Sequence, residues 1–389
     1  MNPAVPVVVL GGGITGLGVI RAFGRRGVPA YLVAPANDLA WRSRHAHAAA
    51  GVTRPGSSEE SLPELLPALK LDRAVLLPCS DAWARAVASL PTGLAARYPS
   101  SSPSRDALDH VVDKARFAEL TRRAGVAHPE SWPLDGPASL DQVADAVFAS
   151  AFLKPRDSQA FFRRFGVKGF WVRSRAEAVQ RLSELEGMRL GVQLQRYVPG
   201  PPTNHVFVDG FVDRAGVVRC HFVRRRLRMY PPDFGNSSMM ESIRPAEAPD
   251  AVAAAERLAS ALRYRGIFSL ETKRDERTGA CHALELNARA WWYVGFAVDC
   301  GADVCRLAYE DALGEAVATI ATYRVGRRCA YPSYDWSAVR ETARTPGTLL
   351  TWAAEVLRAD QPIWAWDDPG PSAGEAWRML KGRLARVAG

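Results

Sequence analysis

The chain has 389 residues, 48% of them hydrophobic, and a formal net charge of +9; this is enough apolar mass for a large core and a length that favours two or three domains. No uninterrupted apolar run reaches the roughly 18 residues that a membrane span needs, and residues 4–20 are broken by glycines with no basic region ahead, so neither membrane nor export is indicated and a cytoplasmic protein is expected. The positive charge comes without a zinc-finger, helix-turn-helix or RNA-binding signature, which argues against nucleic acid and for small acidic substrates.

Val7 to Leu10 is a continuous apolar run that enters Gly11-Gly12-Gly13-Ile14-Thr15-Gly16, followed by a helical segment, Leu17 to Arg26, and a second strand, Ala30 to Val33. This is a βαβ opening. Gly11, Gly13 and Gly16 satisfy the G-x-G-x-x-G spacing of dinucleotide-binding loops. The second strand, however, ends in Val33-Ala34-Pro35 with no acid at its tip, and Asp38 lies beyond the proline, so a tight turn and close helix packing explain the glycines at least as well. A strand, Ala74 to Leu77, runs into Pro78-Cys79-Ser80-Asp81 and another helix. The first 105 or so residues therefore read as a small parallel α/β domain, with Gly12, Gly13, Ser80 and Asp81 at the rim where such sheets bind ligands. Asp81 can equally serve as a helix N-cap. Pro99 to Ser104 reads as a linker.

Asp113-Lys114 opens the next helix. Ala151 to Pro155 is a short strand whose Lys154 points away from its apolar neighbours, and a loop containing Lys168 leads to a strand, Phe170 to Arg173, and a helix, Ala176 to Glu186. Gly191 to Val198 is a strand that breaks at the hinge-like Pro199-Gly200-Pro201-Pro202. In the strand Val217 to Tyr230 the period of two predicts Arg224, Arg226 and Arg228 on one face, either to attract a polyanion or to guard an edge. After a helix, Pro249 to Tyr264, comes a hairpin of Ile267 to Lys273 and Ala280 to Asn287. Its alternation places Glu271 with Ser269 and Lys273, and Glu285 with Ala283 and Asn287. Two carboxylates and an amide converging in apolar strands need neutralising. Mg2+ suits them, because it takes one or two protein carboxylates and leaves its other positions to water and phosphate; a salt bridge to Lys273 or Arg289 is the simpler alternative. The tail beyond residue 316 is Pro-rich, carries five of the eleven Trp, and is expected to wrap on the body with Trp as packing mass.

The six cysteines show no C-x-x-C or zinc spacing and are expected to be reduced and mostly buried. Only six of the 50 basic residues are Lys, yet Lys114, Lys154, Lys168 and Lys273 all fall in the segments singled out above. Where arginine is the default cation, this points to a need for a compact charge.

The ordered motifs GGGxTGLG (residues 11–18), LPxSD (77–81), DK (113–114), FLKP (152–155), QxYxPG (195–200), RxRxYPxxxG (226–235) and LELNAR (284–289) resemble those of the ATP-grasp superfamily. The likeness is closer to its carboxylate–amine ligases related to D-aspartate ligase and covers residues 7 to about 315. The resemblance implies an α/β and α+β protein: a Rossmann-like domain (1–110), a small lid subdomain (111–195), a larger antiparallel-sheet subdomain (196–315) and a helical, Trp-rich extension (316–389). It implies ATP and Mg2+ as cofactors, an acyl phosphate made from a carboxylate, attack by an amine, and release of ADP and phosphate. Carried over by position, Lys114, Lys154 and Lys168 meet the nucleotide, Gln195, Arg196, Tyr197 and Val198 form the hinge beside adenine, and Glu271, Glu285 and Asn287 hold the metal. Arg289, with Arg226 or Arg228, stabilises transferring charge. The partners are then small carboxylates and amines, with a homodimer left open. The alternatives are an NAD(P)- or FAD-dependent oxidoreductase using the glycine loop, and a nucleotide-binding protein that keeps the fold without turnover.

Overall fold

The computed structural model describes residues 4–48, 59–155, 161, 164–165, 167, 169–185, 191–232, 234–340 and 346–387. Val7–Leu10 (β1), Ala30–Val33 (β2), Ala46–His47 (β3) and Val75–Pro78 (β4) form a parallel sheet in the order β3-β2-β1-β4. All residues of β1 and β4 are buried, as the uninterrupted apolar runs of a sheet covered on both faces require. The helix after β1 begins at Gly13, earlier than its apolar pattern suggests, and ends at Gly24.

A second sheet, antiparallel, joins Ser131–Leu134 (β5), Ala151–Pro155 (β6), Phe170–Val172 (β7) and Val192–Arg196 (β8) in the order β5-β8-β6-β7. Ala178, Leu182 and Leu185 of the helix Arg175–Leu185 pack in its core. The third sheet is the largest: His205–Val212 (β9), Val218–Tyr230 (β10), Asn236–Ile243 (β11), Gly266–Arg274 (β12), Cys281–Asn287 (β13) and Arg328–Ala330 (β14), in the order β13-β12-β9-β10-β11-β14.

Alternation gives this large sheet two different faces. Val208, Val212 and Leu270 pack on Ala251, Ala255 and Leu258 of the helix Pro249–Ala261. Phe211, Phe222 and Ile267 point the other way, into the core shared with the N-terminal sheet. Further along that second face the apolar residues give way to a buried ion pair, Asp209 with Arg224, and then to the charged residues described below. The polarity of one face thus changes with distance from the N-terminal domain.

The strands β5, β11 and β14 escape sequence reading because they lack a period-two apolar pattern. In β11 (NSSMMESI) the serines are buried with partners: Ser237 Oγ accepts from Arg226, Ser238 Oγ donates to Asp335 and Ser242 Oγ to the Arg324 carbonyl. The Pro99 to Ser104 segment is held firmly, with the Leu76 N–H donating to Pro99 O and the buried Ser101 donating to Asp311 at 2.7 Å.

The tail is fastened by charge more than by tryptophan. Asp335, fully buried, accepts from Arg228 Nε at 3.0 Å, Ser238 Oγ at 2.7 Å and Trp352 Nε1 at 3.0 Å. Asp368 accepts from Arg21 at 2.9 Å and Ser43 at 2.6 Å in the N-terminal domain. Trp336 does pack on Trp352 with ring centroids 5.0 Å apart, but Trp366 is 87% exposed, a correction to the expected packing role. All six cysteines are unpaired and all but Cys281 are buried. No helix among the described residues is long and apolar enough to cross a membrane.

Asp335→Ala leaves the Arg228 guanidinium to Glu355 alone and strands the Ser238 and Trp352 donors. It is expected to cost roughly 3 kcal/mol of stability, read by urea denaturation, and an unchanged midpoint would remove Asp335 as the tail's anchor.

Candidate active site

The hairpin β12–β13 carries the centre of the site. Its register pairs Ser269 with Asn287 and Glu271 with Glu285, then slips, so that Thr272 faces Ala283. Glu271, Glu285 and Asn287 therefore lie together on one face, as expected. Ala283 does not join them: the slip turns it to the other face, among Leu270 and Leu286 in the core, the usual effect of a bulge that re-aims side chains near a site.

Two carboxylates directly opposite each other repel, and the surroundings supply positive charge. Arg226 Nη2 lies 3.0 Å from Glu271 Oε1, and its Nε donates to Ser237 at 2.8 Å. His205 Nδ1 is 2.9 Å from the same oxygen. Burial, reinforced by the Arg226 charge, lowers the His205 pKa from 6.5 to about 4, with Glu271 opposing only in part. The imidazole is thus neutral at pH 7 and donates Nδ1–H to the carboxylate. Neither composition nor spacing singled His205 out for this role; only its neighbourhood to Glu271 across the paired strands β9 and β12 does. Lys273 turns toward the hinge instead, its Nζ 3.0 Å from the Tyr197 hydroxyl.

The small sheet supplies the opposite wall. Lys154 Nζ is 3.3 Å from Gln195 Oε1, and Gln195 is anchored to Ser131 at 2.8 Å. Burial lowers the Lys154 pKa while the charges of Glu285 and Glu271 raise it. Lys114, behind the Asp113 cap of its helix, donates to the Pro155 carbonyl. Arg196 pairs with Glu130 at 2.9 Å on the surface, and Val198 is buried. The Tyr197 ring meets Phe152, Trp171 and Phe234 with centroids 4.6–6.5 Å apart across the four rings. Lys168 lies outside the described residues, as does much of the loop around it.

The third wall is the rim of the N-terminal domain. Arg289 reaches Asp81 with Nε at 3.0 Å and Nη2 at 3.3 Å, and the same Nη2 reaches Asn287 Oδ1 at 3.1 Å. Ser80 is the helix cap, accepting from Trp83 N at 3.2 Å, which leaves Asp81 for this contact. At the glycine loop the Gly13 N–H donates to both Asp38 oxygens at 2.9 Å, and a Cβ on Gly12 would lie 2.3 Å from Asp38. An internal carboxylate therefore holds the amide that a dinucleotide phosphate would need, and a Cβ on Gly16 would lie 2.4 Å from Gly11 O. These glycines serve the turn and its packing.

Arg228 is not brought to the centre. The β10–β11 register shifts on both sides of it, pairing Arg226 with Met240 but Arg228 with Met239, so Arg226 reaches Ser237 while Arg228 turns to the other face and spends its charge on Asp335 and Glu355, at 2.8 and 2.7 Å. The expectation of Arg224, Arg226 and Arg228 on one face is corrected accordingly. Among the described residues no group of three or more His, Cys, Asp or Glu could hold a metal ion. Two glutamates and an asparagine form a different donor set, the sparse oxygen set that Mg2+ uses when phosphates complete its shell.

Three sheets arranged in this way make an ATP-grasp fold. The chain is similar to the carboxyaminoimidazole ribonucleotide synthase of Aspergillus clavatus complexed with ATP (16% identity, 89% of this chain and 88% of that one, TM-score 0.65). It is similar as well to the L-amino acid ligase of Bacillus licheniformis (15%, 83% and 78%, 0.62). A third neighbour is the biotin carboxylase domain dimer of the Hydrogenobacter thermophilus 2-oxoglutarate carboxylase, in complex with MgADP, ADP and bicarbonate (17%, 82% and 73%, 0.63). At these identities the likeness is one of fold. No protein-family model and no curated protein matches the sequence.

The neutral His205 makes a pH prediction. Between pH 6.5 and about 4 the unfolded chain takes up a proton here and the native fold does not, so native stability falls as pH drops through that window, by roughly 3 kcal/mol from this group. His205→Asn is expected to flatten the stability profile over the window in urea titrations, and an equal slope in both proteins would contradict the buried neutral imidazole.

Proposed function

We propose that the protein is an ATP-dependent carboxylate–amine ligase that forms an amide through an acyl phosphate and releases ADP and phosphate. The observation that carries this reading is the facing pair Glu271 and Glu285 with Asn287 beside them, opposed by Lys154 and flanked by Arg226 and Arg289. An ordinary salt bridge needs no such concentration of opposed groups, whereas phosphoryl transfer needs fixed cations and a metal around the transferring oxygens. The fold neighbours that bind ATP or MgADP, by their own descriptions, support the same cofactors here.

In this reading Glu271, Glu285 and Asn287 hold Mg2+, which when bound neutralises charge on phosphate oxygens. Lys154 meets the phosphates from the small sheet, and Lys114 stands behind it at the end of β6. Gln195 to Val198 and the aromatic rings around Tyr197 offer the base a flat, apolar slot. Arg226 and Arg289 lie at either end of the carboxylates, placed to stabilise negative charge as the substrate carboxylate attacks the terminal phosphoryl group. Attack of the amine nitrogen on the acyl carbon then forms the amide and expels phosphate. Acyl phosphates hydrolyse readily, so the cleft must exclude water while they last. The oxidoreductase alternative has no support at the glycine loop, where Asp38 already holds the Gly13 amide.

Mg·ATP should raise the melting temperature and NAD(P)H should not; the reverse pattern discards the ligase. Glu285 is exposed, so Glu285→Gln should fold normally and lose ADP formation, and retained turnover would contradict its place at the metal. Lys154→Ala is expected to weaken ATP binding by about tenfold or more, a loss of the size expected for a charged hydrogen bond, and calorimetry giving wild-type affinity would remove that residue from the site.

A further inference from the structure

Beside the cationic centre lies a feature of opposite character that the ligase reading has not used. Trp292 follows Arg289 by three positions, and its ring centroid is 5.9 Å from both Tyr331 and Tyr334 of the tail, nearly perpendicular to each at 89° and 85°. Tyr331 and Tyr334 are themselves parallel, 12° apart in plane with centroids at 6.0 Å. Tyr230 adds a fourth ring 5.6 Å from Tyr334. All four are partly exposed, so the cluster keeps some aromatic surface open to a ligand.

The cluster adjoins the reaction centre through short links. Tyr334 hydrogen-bonds Asn236, and the neighbouring Ser237 accepts from Arg226 through Oγ and from Tyr293 through its carbonyl at 2.6 Å. Behind the rings stands an acid. The Tyr331 hydroxyl donates to Glu375 Oε1, and Glu375 is only 7% exposed. Arg378 approaches that same oxygen no closer than 3.6 Å. The other oxygen, Oε2, is buried with no hydrogen-bond partner among the described residues. A buried carboxylate oxygen without a donor is costly, and a ligand donor relieves it.

Aromatic faces and a carboxylate together attract an ammonium group, while Arg226, Arg289 and Lys154 attract carboxylate and phosphate. Resting on the ligase reading, we propose that the C-terminal extension builds the subsite for the amine substrate, with Trp292, Tyr331, Tyr334 and Glu375 receiving an ammonium attached to an apolar or aromatic body. The two substrates of opposite charge are thereby sorted to the two ends of one cleft.

Calorimetric titration of the full chain without nucleotide reads the subsite directly, using phenethylamine and isoamylamine against phenethyl alcohol and isoamyl alcohol. The amines bind and the alcohols do not. Tyr334→Ala and Glu375→Gln each weaken amine binding about tenfold, Tyr334→Phe retains it, and Mg·ATP affinity stays at the wild-type value in all three. In turnover assays the same two variants raise KM for the amine and leave KM for the carboxylate alone. Equal affinity for amine and alcohol, or wild-type amine affinity in both variants, overturns the proposal. Because the titration contains no ATP, a chain that binds the amines selectively but never releases ADP refutes the ligase reading and leaves the subsite standing.

Discussion

A carboxylate facing a carboxylate across neighbouring strands is the contact around which the molecule is arranged. Glu271 opposite Glu285 is unfavourable in isolation, and every structural unit contributes something to offset it. The large sheet brings Arg226 and His205 to Glu271. The small sheet brings the Lys154 ammonium, whose charged form Glu285 and Glu271 favour against its burial. The N-terminal domain brings Asp81, which holds Arg289 against Asn287. A site assembled from three sheets in this way is sensitive to how they sit together.

The change of polarity along one face of the large sheet follows from the same arrangement. Near the N-terminal domain that face is Phe211, Phe222 and Ile267 and fills a core. In its middle Arg224 is buried against Asp209, a pair costly to break because each charge then lacks its partner. At its far end the charges reach the cleft. The tail is fixed to the reverse side through Asp335 and Arg228, so the extension and the Glu271–Glu285 hairpin are joined through a single sheet.

The hairpin and the βαβ opening were legible because each is a local pattern: alternation, or an apolar run into glycines. The glycine loop carries both meanings in the sequence, and Asp38 selects the structural one. What escaped depended on contacts between distant segments. His205 is an unremarkable strand residue until β9 lies against β12. Arg228 continues the period of Arg224 and Arg226 in the sequence, but a register shift beside β11 sends it to the other face. Ala283 leaves the predicted face for the same kind of reason, a slip of one residue in β13. The strands β5, β11 and β14 have no apolar alternation to announce them.

By itself the sequence determined which residues carry charge into apolar strands, and that Glu285 and Asn287 share a face, because side-chain direction within one strand depends on local geometry; Glu271 joins them through the register of β12 on β13. It also determined the order of motifs that an ATP-grasp fold requires. Only the tertiary structure decided which cations answer those acids, that Asp81 holds Arg289 rather than capping a helix, and that the tail sets Tyr331 and Tyr334 against Trp292. Those outcomes rest on pairings between residues as far apart as the 208 positions between Asp81 and Arg289. No local propensity encodes such pairings; the packing of whole sheets does.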